Sequence, residues 1–221
     1  MVVKKVDIII RHEEPADYRE VEELTRNAFW DENVPGCDEH YLVHTMRTAE
    51  AFVPELDFVA VQDGKIVGNI MFVRSQVLDA KAIVHPVLTF GPLYVDPERQ
   101  NQGIGAMLVR HSLPIAKNMG FKAVITYGDP DYYCRFGFRP GREFGIYTSE
   151  HTYSPALIVL ELQEGALKGI TGAFEEGKCY HLDEQKASAF DAGFPHREKG
   201  FKDSQLKFQK YLAACEPVSP N

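Results

Sequence analysis

The sequence predicts an α+β fold: a mixed, mostly antiparallel sheet flanked by helices, followed by a C-terminal helical extension. Three observations predict it. The stretch from His85 to Met119 reads as a strand, a turn at Asp96-Pro97, a loop bearing Gly103 and Gly105, and then a helix. Ahead of it, 57–62 and 65–78 are strand-like runs joined at Asp63-Gly64, a dipeptide that tolerates the positive φ of a tight hairpin. Tyr18, Val21, Leu24, Ala28 and Phe29 recur at three and four residues, which makes one apolar helical face. Antiparallel strands placed before a strand–helix–strand unit give a mixed sheet.

In chain order, Val6 to Arg11 is a β-branched run and reads as the first strand. A helix starts at Glu14-Pro15, where proline gives up only an N–H that a first turn leaves unpaired. Trp30 to Cys37 is a polar loop, and Asp38 can cap a second helix with an inner face of Tyr41, Leu42, Met46 and Ala49. Ala80 to Val84 lead into the central strand, Val87 to Val95. Inside that strand, Pro92 cannot donate to a ladder, so pairing must fail on one side; taken alone, Gly91-Pro92 is an ordinary bulge or sheet edge.

The helix from Gly103 carries Met107, Leu108, Leu113 and Ile115. It is expected to kink at Pro114 and to stop at Gly120, which suits the left-handed C′ position. Phe121 to Tyr127 is the fifth strand. Gly128-Asp129-Pro130 opens a short helix capped by Asp129 and closed by Gly137, with Tyr132, Tyr133 and Phe136 on it. Phe138 to Tyr147 and Ser154 to Leu162 read as the last two strands. Gly165 to Gly177 is glycine-rich and loop-like. Asp183 to Ala192 and Asp203 to Cys215 read as two short helices, the second presenting Leu206, Phe208, Tyr211, Leu212 and Cys215 roughly on one side. Such a tail can cover a site, make a homodimer contact or pack beneath the sheet.

The 221 residues support one domain with a real core. A net charge of −8 disfavours a nucleic-acid partner. No apolar run approaches the roughly 20 residues that span a bilayer. The segment Met1 to Arg11 has too short an apolar core for a signal peptide. A cytoplasmic protein without a membrane partner is therefore expected. Cys37, Cys134, Cys179 and Cys215 are scattered with no C-x-x-C pair, which favours reduced thiols. His40 and His44 have the i, i+4 spacing of a metal pair, but no HExxH glutamate or third ligand accompanies them, so no metal is expected.

A glycine loop that opens a helix straight after a strand collects unpaired N–H groups at the positive end of the helix, a setting that suits phosphate or pyrophosphate. A P-loop needs Lys-Ser/Thr after its second glycine, whereas Gly105 is followed by Ala106-Met107. The dinucleotide fingerprint needs a third glycine at position 108, which is Leu108. Gln100, Gly103 and Gly105 instead resemble the acyl-CoA-binding signature Q/R-x-x-G-x-G/A of the GNAT acetyltransferases. Tyr132 to Phe138 is similar to the aromatic-Tyr-x-x-hydrophobic-Gly-Phe segment found one helix and one strand later in that family. Neither segment is specific alone; together they are.

The resemblance covers residues 5–162, with 163–221 as an extension packed on that domain. It implies a sheet splayed at its fourth and fifth strands, with the pantetheine arm of CoA filling the gap beside Gly91-Pro92. The implied activity is N-acetyl transfer from acetyl-CoA, a cosubstrate, to a primary amine of a small-molecule or peptide acceptor, by direct attack in a ternary complex. Gln100, Asn101, Gln102, Gly103, Ile104, Gly105 and Ala106 would serve the pyrophosphate, and the strand edge at Leu93, Tyr94 and Val95 the pantetheine. Asp129 and Phe136 are implied on the cofactor side, and Lys117, Lys122 or Arg110 are within possible reach of the 3′-phosphate.

Tyr133 matches the family tyrosine that protonates the departing thiolate, a task that suits a phenol of pKa near ~10. By residue type alone it is one aromatic of a packed cluster. Cys134 reads as structural, because transfer in this family is usually direct. Where some members carry a carboxylate on the central strand, this chain has Thr89, which cannot serve as a base; Asp31, Glu32, Glu39 and His85 are left as unranked candidates. The alternative is a non-catalytic CoA or acyl-CoA sensor with the same fold. A nucleotide-binding module is disfavoured by the missing P-loop lysine.

Overall fold

A computed structural model describes residues 7–219, so Val6 of the expected first strand lies outside them. The chain begins with β1 (Ile9–His12), a 3-10 turn at Pro15–Asp17, α1 (Tyr18–Phe29) and α2 (Glu39–Met46). A hairpin of β2 (Phe58–Gln62) and β3 (Lys65–Leu78) follows, then β4 (Val84–Val95), α3 (Ile104–Asn118), β5 (Ala123–Tyr127) and the single-turn α4 (Pro130–Tyr133). Next come β6 (Arg139–Pro140), β7 (Ile146–Thr148), β8 (Thr152–Tyr153), β9 (Leu157–Glu161) and β10 (Gly172–Glu175). The tail is α5 (Glu184–Asp191), α6 (Asp203–Ala213) and β11 (Glu216–Pro217).

β3 holds the main sheet together because it is 14 residues long. One edge carries β4 from Gly68↔Val95 to Leu78↔Val84. The other edge carries three partners in turn: β2 opposite 65–70, Phe52 opposite Val73, and β10 opposite 76–78. The hairpin turn has φ of 52° at Asp63 and 75° at Gly64, the left-handed pair that a two-residue connection needs. The strand order is β1-β2-β3-β4-β5-β9-β6, with β10 also joined to β3 and β7. Every ladder is antiparallel except β4–β5 and β7–β10, so the sheet is mixed as expected.

β4 and β5 share a single register pair, Leu88↔Val124, and part beyond it. A side chain makes the next link: Thr126 Oγ1 donates to the Phe90 carbonyl at 2.9 Å. On the other side of β4, Phe72↔Phe90 is followed by Ile70↔Leu93, so Gly91 and Pro92 together face Met71. The bulge and the splay expected at Gly91-Pro92 are therefore both present, on opposite edges of one strand.

Alternation along β2 and β3 sends Phe58, Ala60, Ile70 and Phe72 to the face covered by α3, where Ile104, Leu108 and Val109 meet them. Val59, Met71 and Val73 point to the opposite face, covered by Val21 and Leu24 of α1 and by Leu42, Val43 and Met46 of α2. Full burial of each such side chain contributes about 1.5–3 kcal/mol.

Several elements depart from expectation. Phe138 to Tyr147 is not one strand: β6 has two residues, the chain turns through Gly141–Phe144 as a 3-10 helix, and β7 then leaves to pair with β10. Gly141 sits so close to the Ile146 carbonyl that a Cβ would stand 2.7 Å from it, which a straight strand would not require. The run from Gly165 to Gly177, read as a loop, contains β10. α2 buries His40 and Val43 beside Leu42 and Met46, while Tyr41 is half-buried and Ala49 lies past its end. Met107 of α3 is exposed. α6 docks through buried Gln205, whose amide donates to the carbonyls of Asp31 at 2.9 Å and Gly200 at 3.1 Å, while Leu206 and Leu212 face solvent.

A buried ionic network joins the first turn to α2. Arg47 donates to Glu13 at 2.9 and 2.7 Å and to Glu22 at 2.8 Å. Beside it, Asp57 accepts from Asn69 Nδ2 at 3.0 Å. Burial, then the charge and hydrogen bond of Glu13, push the Asp57 carboxyl well above the usual carboxylate range. Folding therefore keeps a proton on Asp57 that the unfolded chain releases near pH ~4. The folded state is favoured fully below that value and loses stability as pH rises toward the folded pKa. Urea midpoints should accordingly fall from pH 5 to pH 8, and Asp57→Asn should flatten that slope; identical slopes in both proteins would clear Asp57 as its cause.

Candidate active site

A cleft of about 670 Å³ lies at the C-terminal end of β4, past the point where β4 and β5 part. Leu93, Tyr94 and Val95 of β4 form one side of it, and Arg99 to Asn101 with the first turn of α3 form another. Asn101 (φ 61°) and Gly103 (φ 85°) turn the chain so that α3 starts at Ile104. The N–H groups of Ile104, Gly105 and Ala106 have no carbonyl four residues back within the helix, and they sit at its positive end with no acidic residue in that turn. A Cβ at Gly105 would stand 3.1 Å from the Tyr132 hydroxyl, so glycine keeps the floor of the cleft open.

Arg99 and Arg135 add two guanidinium groups to the lining. Arg135 lies 4.6 Å over the Tyr132 ring, and Arg99 hydrogen-bonds the Gln62 side chain. The α1 side is held in place by Tyr94, whose hydroxyl donates to the Val21 carbonyl at 3.0 Å. Tyr94 thus offers the cleft mainly its backbone.

Tyr133 stands on α4, which forms because Asp129 accepts from the Asp131 N–H at 3.0 Å and Pro130 occupies the first position. Gly137 (φ 91°) ends that segment. The Tyr133 ring centroid is 4.9 Å from Tyr132 and 5.6 Å from both Phe90 and Phe138. Burial, reinforced by Tyr132 and Asp129, raises its phenol, which stays protonated at neutral pH. The packed-cluster reading of Tyr133 and its place in the site hold together.

A second cleft of about 250 Å³ adjoins the first, sharing Phe29, Leu93 and Tyr133 with it. It is lined by Glu39, Thr89, Gly91, Thr126, Glu176 and Tyr180 among others. Tyr180 comes from the tail and donates to the Gly91 carbonyl at 3.0 Å. Burial raises both Glu39 and Glu176 above the usual carboxylate range.

Of the residues assigned from the sequence, Leu93, Tyr94, Val95, Gln100, Asn101, Gly103, Ile104, Gly105, Ala106 and Tyr133 line the first cleft. Three do not. Gln102 is exposed beside it. Phe136 packs in the aromatic cluster under Arg110, 5.3 Å from its ring. Asp129 is held by Lys207 Nζ at 2.6 Å and the Tyr211 hydroxyl at 3.1 Å. Lys117, Lys122 and Arg110 are likewise outside the lining, whose two guanidinium groups are those of Arg99 and Arg135. Arg135 sits inside the second recognised motif and Arg99 immediately before the first. Glu176 and Tyr180 fall after the recognised segment and carried no local signal.

The candidate bases separate clearly. Asp31 Oδ1 accepts from the N–H groups of Gly36 at 2.7 Å and Gly200 at 3.0 Å; against a burial that would raise it, these bonds hold its carboxyl below the usual range. Glu32 pairs with Lys202 at 2.5 Å, and His85 lies 3.1 Å from Asp79. Only Glu39 of the four reaches the second cleft.

His40 and His44 turn to different carboxylates, His40 to Asp191 (3.0 Å, off the line of a hydrogen bond) and His44 to Glu22 (2.9 Å). Among the described residues no group of three His, Cys, Asp or Glu could hold a metal. Cys37 Sγ is 3.7 Å from His40 Nδ1, but burial raises the thiol and lowers the imidazole, so the pair is not a thiolate nucleophile. Cys134 donates to the Asp131 carbonyl at 3.3 Å.

The family model for the acetyltransferase (GNAT) family matches residues 22–138. The chain belongs to that family. The Escherichia coli K12 protein YhbS, named as an N-acetyltransferase, is 31% identical over 169 residues, which are 76% of this chain and 95% of YhbS. The crystal structure of E. coli YhbS in complex with CoA matches with a TM-score of 0.72 at 28% identity, covering 82% of this chain and 96% of that one. A GNAT family acetyltransferase from Brucella melitensis in complex with acetyl-CoA matches with a TM-score of 0.63 at 26% identity, over 79% and 98% of the two chains. Among the described residues no helix is long and apolar enough to cross a membrane.

Gly128 sets the position of Tyr133, since a Cβ there would stand 2.4 Å from the ring. Gly128→Ala should lower the urea midpoint by an amount equivalent to about 1–3 kcal/mol of overpacking. An unchanged midpoint would mean that the ring has room to move.

Proposed function

We propose that this chain is an acetyl-CoA-dependent N-acetyltransferase whose acceptor is a primary amine of a small molecule or peptide. The observation that carries this reading is the acid-free N-terminus of α3 set against the open edge of β4 in one cleft. CoA offers an anionic pyrophosphate and an arm with two amides, and the residues present fit both. The N–H groups from Gln100 to Ala106, with Arg99 and Arg135, suit the phosphates. The edge at Leu93 to Val95 suits the amides, as an added strand would. Two relatives crystallised with CoA or acetyl-CoA support the same assignment.

In this reading the amine attacks the thioester carbonyl directly: a C–N bond forms, the C–S bond breaks, and the thiolate takes the phenolic proton of Tyr133. A phenol kept neutral by burial and placed between the two clefts suits that role, which is typically worth about 10²–10⁴-fold in rate. A main-chain N–H on the open edge of β4, aimed at the thioester oxygen, would add roughly 10²–10³-fold.

Tyr133→Phe should lower kcat by about 10²-fold or more while calorimetric acetyl-CoA affinity stays unchanged; equal turnover would remove Tyr133 from the mechanism. Arg135→Ala should weaken acetyl-CoA binding by about tenfold, the loss of one charge-assisted contact. Tight binding with no thiol release from any amine, protein termini included, would identify a sensor in place of an enzyme.

A further inference from the structure

The lining of the first cleft holds a single acid, Glu32, among groups that otherwise suit an anion. Glu32 lies in the loop between α1 and α2 and shares the cleft with the first turn of α3, Arg99 and Arg135. A bare carboxylate there would work against the phosphates of the proposed cofactor. Its Oε1 instead accepts from Lys202 Nζ at 2.5 Å. Lys202 belongs to the tail, 170 residues further along the chain, and does not itself line the cleft.

The two side chains are 42% and 38% exposed. Such a pair ordinarily adds little to stability, since two long side chains must be ordered to make it. Here the surroundings order them. Lys202 Nζ also donates to the carbonyl of Trp30, a buried residue, at 2.8 Å. On one side of Lys202 the Gly200 N–H donates to Asp31 Oδ1 at 3.0 Å. On the other side the Gln205 amide donates to the Asp31 carbonyl at 2.9 Å. Asp31 Oδ1 accepts from the Gly36 N–H as well, at 2.7 Å, which closes the loop on itself. Tail and loop are therefore tied on both sides of Lys202, and a fixed frame delivers its ammonium to Glu32. What the pair contributes to the cleft is charge.

We infer that Lys202 is a positioning residue of the cofactor cleft: it holds the Glu32 carboxylate and cancels its charge, so that the tail sets the affinity of the cleft for the phosphates of acetyl-CoA. The inference rests on the transferase reading above and adds a residue to its cofactor side. With the pair made, the charge left in the lining is that of Arg99 and Arg135; without Lys202, Glu32 offsets one of the two. Among the described residues no other cation pairs with Glu32. Its neighbours are engaged elsewhere: Lys199 packs on Gly36, and Arg197 reaches the Asn27 side chain at 3.4 Å. Asp31, the other carboxylate of this part of the loop, is held by two N–H groups and lies outside the lining.

One uncompensated charge several ångströms from a diphosphate corresponds, at the dielectric constant of water, to about fivefold to tenfold in affinity. Screening acts over about 8 Å at physiological ionic strength, so the effect must depend on salt.

The test is calorimetric binding of acetyl-CoA to the full chain across a double-mutant cycle. Lys202→Met keeps the aliphatic stem and loses the charge. It should weaken binding by about fivefold to tenfold at low salt, and most of the gap should vanish in about 1 M salt. Lys202→Arg keeps the charge and should bind like wild type. Combining Lys202→Met with Glu32→Gln should recover wild-type affinity, because the charge that needed cancelling is gone. Lys202→Met and the double variant both lack the bond to the Trp30 carbonyl, so a purely structural role of Lys202 cannot produce that recovery. Three results overturn the inference and leave the transferase reading standing: equal affinity of wild type and Lys202→Met at low salt, a loss that persists at high salt, or a loss that Glu32→Gln does not rescue. Failure of the wild-type protein to bind acetyl-CoA overturns the transferase reading and this inference with it.

Discussion

Two parallel strands that meet at Leu88 and Val124 and then separate leave a row of main-chain groups on β4 without a strand beside them. Buried N–H and C=O groups need partners, so a sheet that opens must cover the gap or hold it for something that hydrogen-bonds like a strand. Here the opening is held fixed. Leu88 and Val124 are fully buried in one cluster with Leu108 and Val109 of α3, and Thr126 ties β5 to Phe90. The bulge at Gly91-Pro92 shifts the β3–β4 register on the opposite edge of the same strand. Packing enforces that divergence, and the second cleft, lined by Thr89 and Phe90 of β4 and by Thr126 and Tyr127 of β5, opens in it.

The electrostatics of the site are local. The chain carries a net charge of −8, yet the first cleft gathers a helix N-terminus and two guanidinium groups, and the one carboxylate in its lining, Glu32, is paired with Lys202. The second cleft, a few residues away across Tyr133, gathers carboxylates alone.

The tail braces both clefts. α5 is fixed to α1 by Asp191, which accepts from Arg26 at 2.6 Å. The following segment closes over the loop after α1: Trp30 Nε1 donates to the Glu198 carbonyl at 3.0 Å and Lys202 Nζ to the Trp30 carbonyl at 2.8 Å. α6 grips Asp129 at the start of the turn that carries Tyr133. β10 extends the main sheet, and the residues just after it bring Glu176 and Tyr180 to the second cleft.

What the sequence determined by itself was whatever depends on neighbours in the chain. The Asp63-Gly64 hairpin, the glycine loop opening α3, the capped turn under Tyr133 and the proline inside β4 are all set by φ preferences, missing donors or caps within a few residues, and the structure has each of them. Ten of the thirteen assigned site residues line the cleft for that reason. The tertiary structure decided what depends on distant partners. Asp129 was read as a cofactor contact, yet Lys207 and Tyr211, about eighty residues on, take up its carboxylate. The segment 138–147 was read as one strand, but the chain turns at 141–144 and β7 is drawn aside to pair with β10, which itself lies in a run too rich in glycine to announce a strand. Glu176 became a site residue only because β10 adds to β3 and carries it there, and no local pattern encodes such long-range pairing.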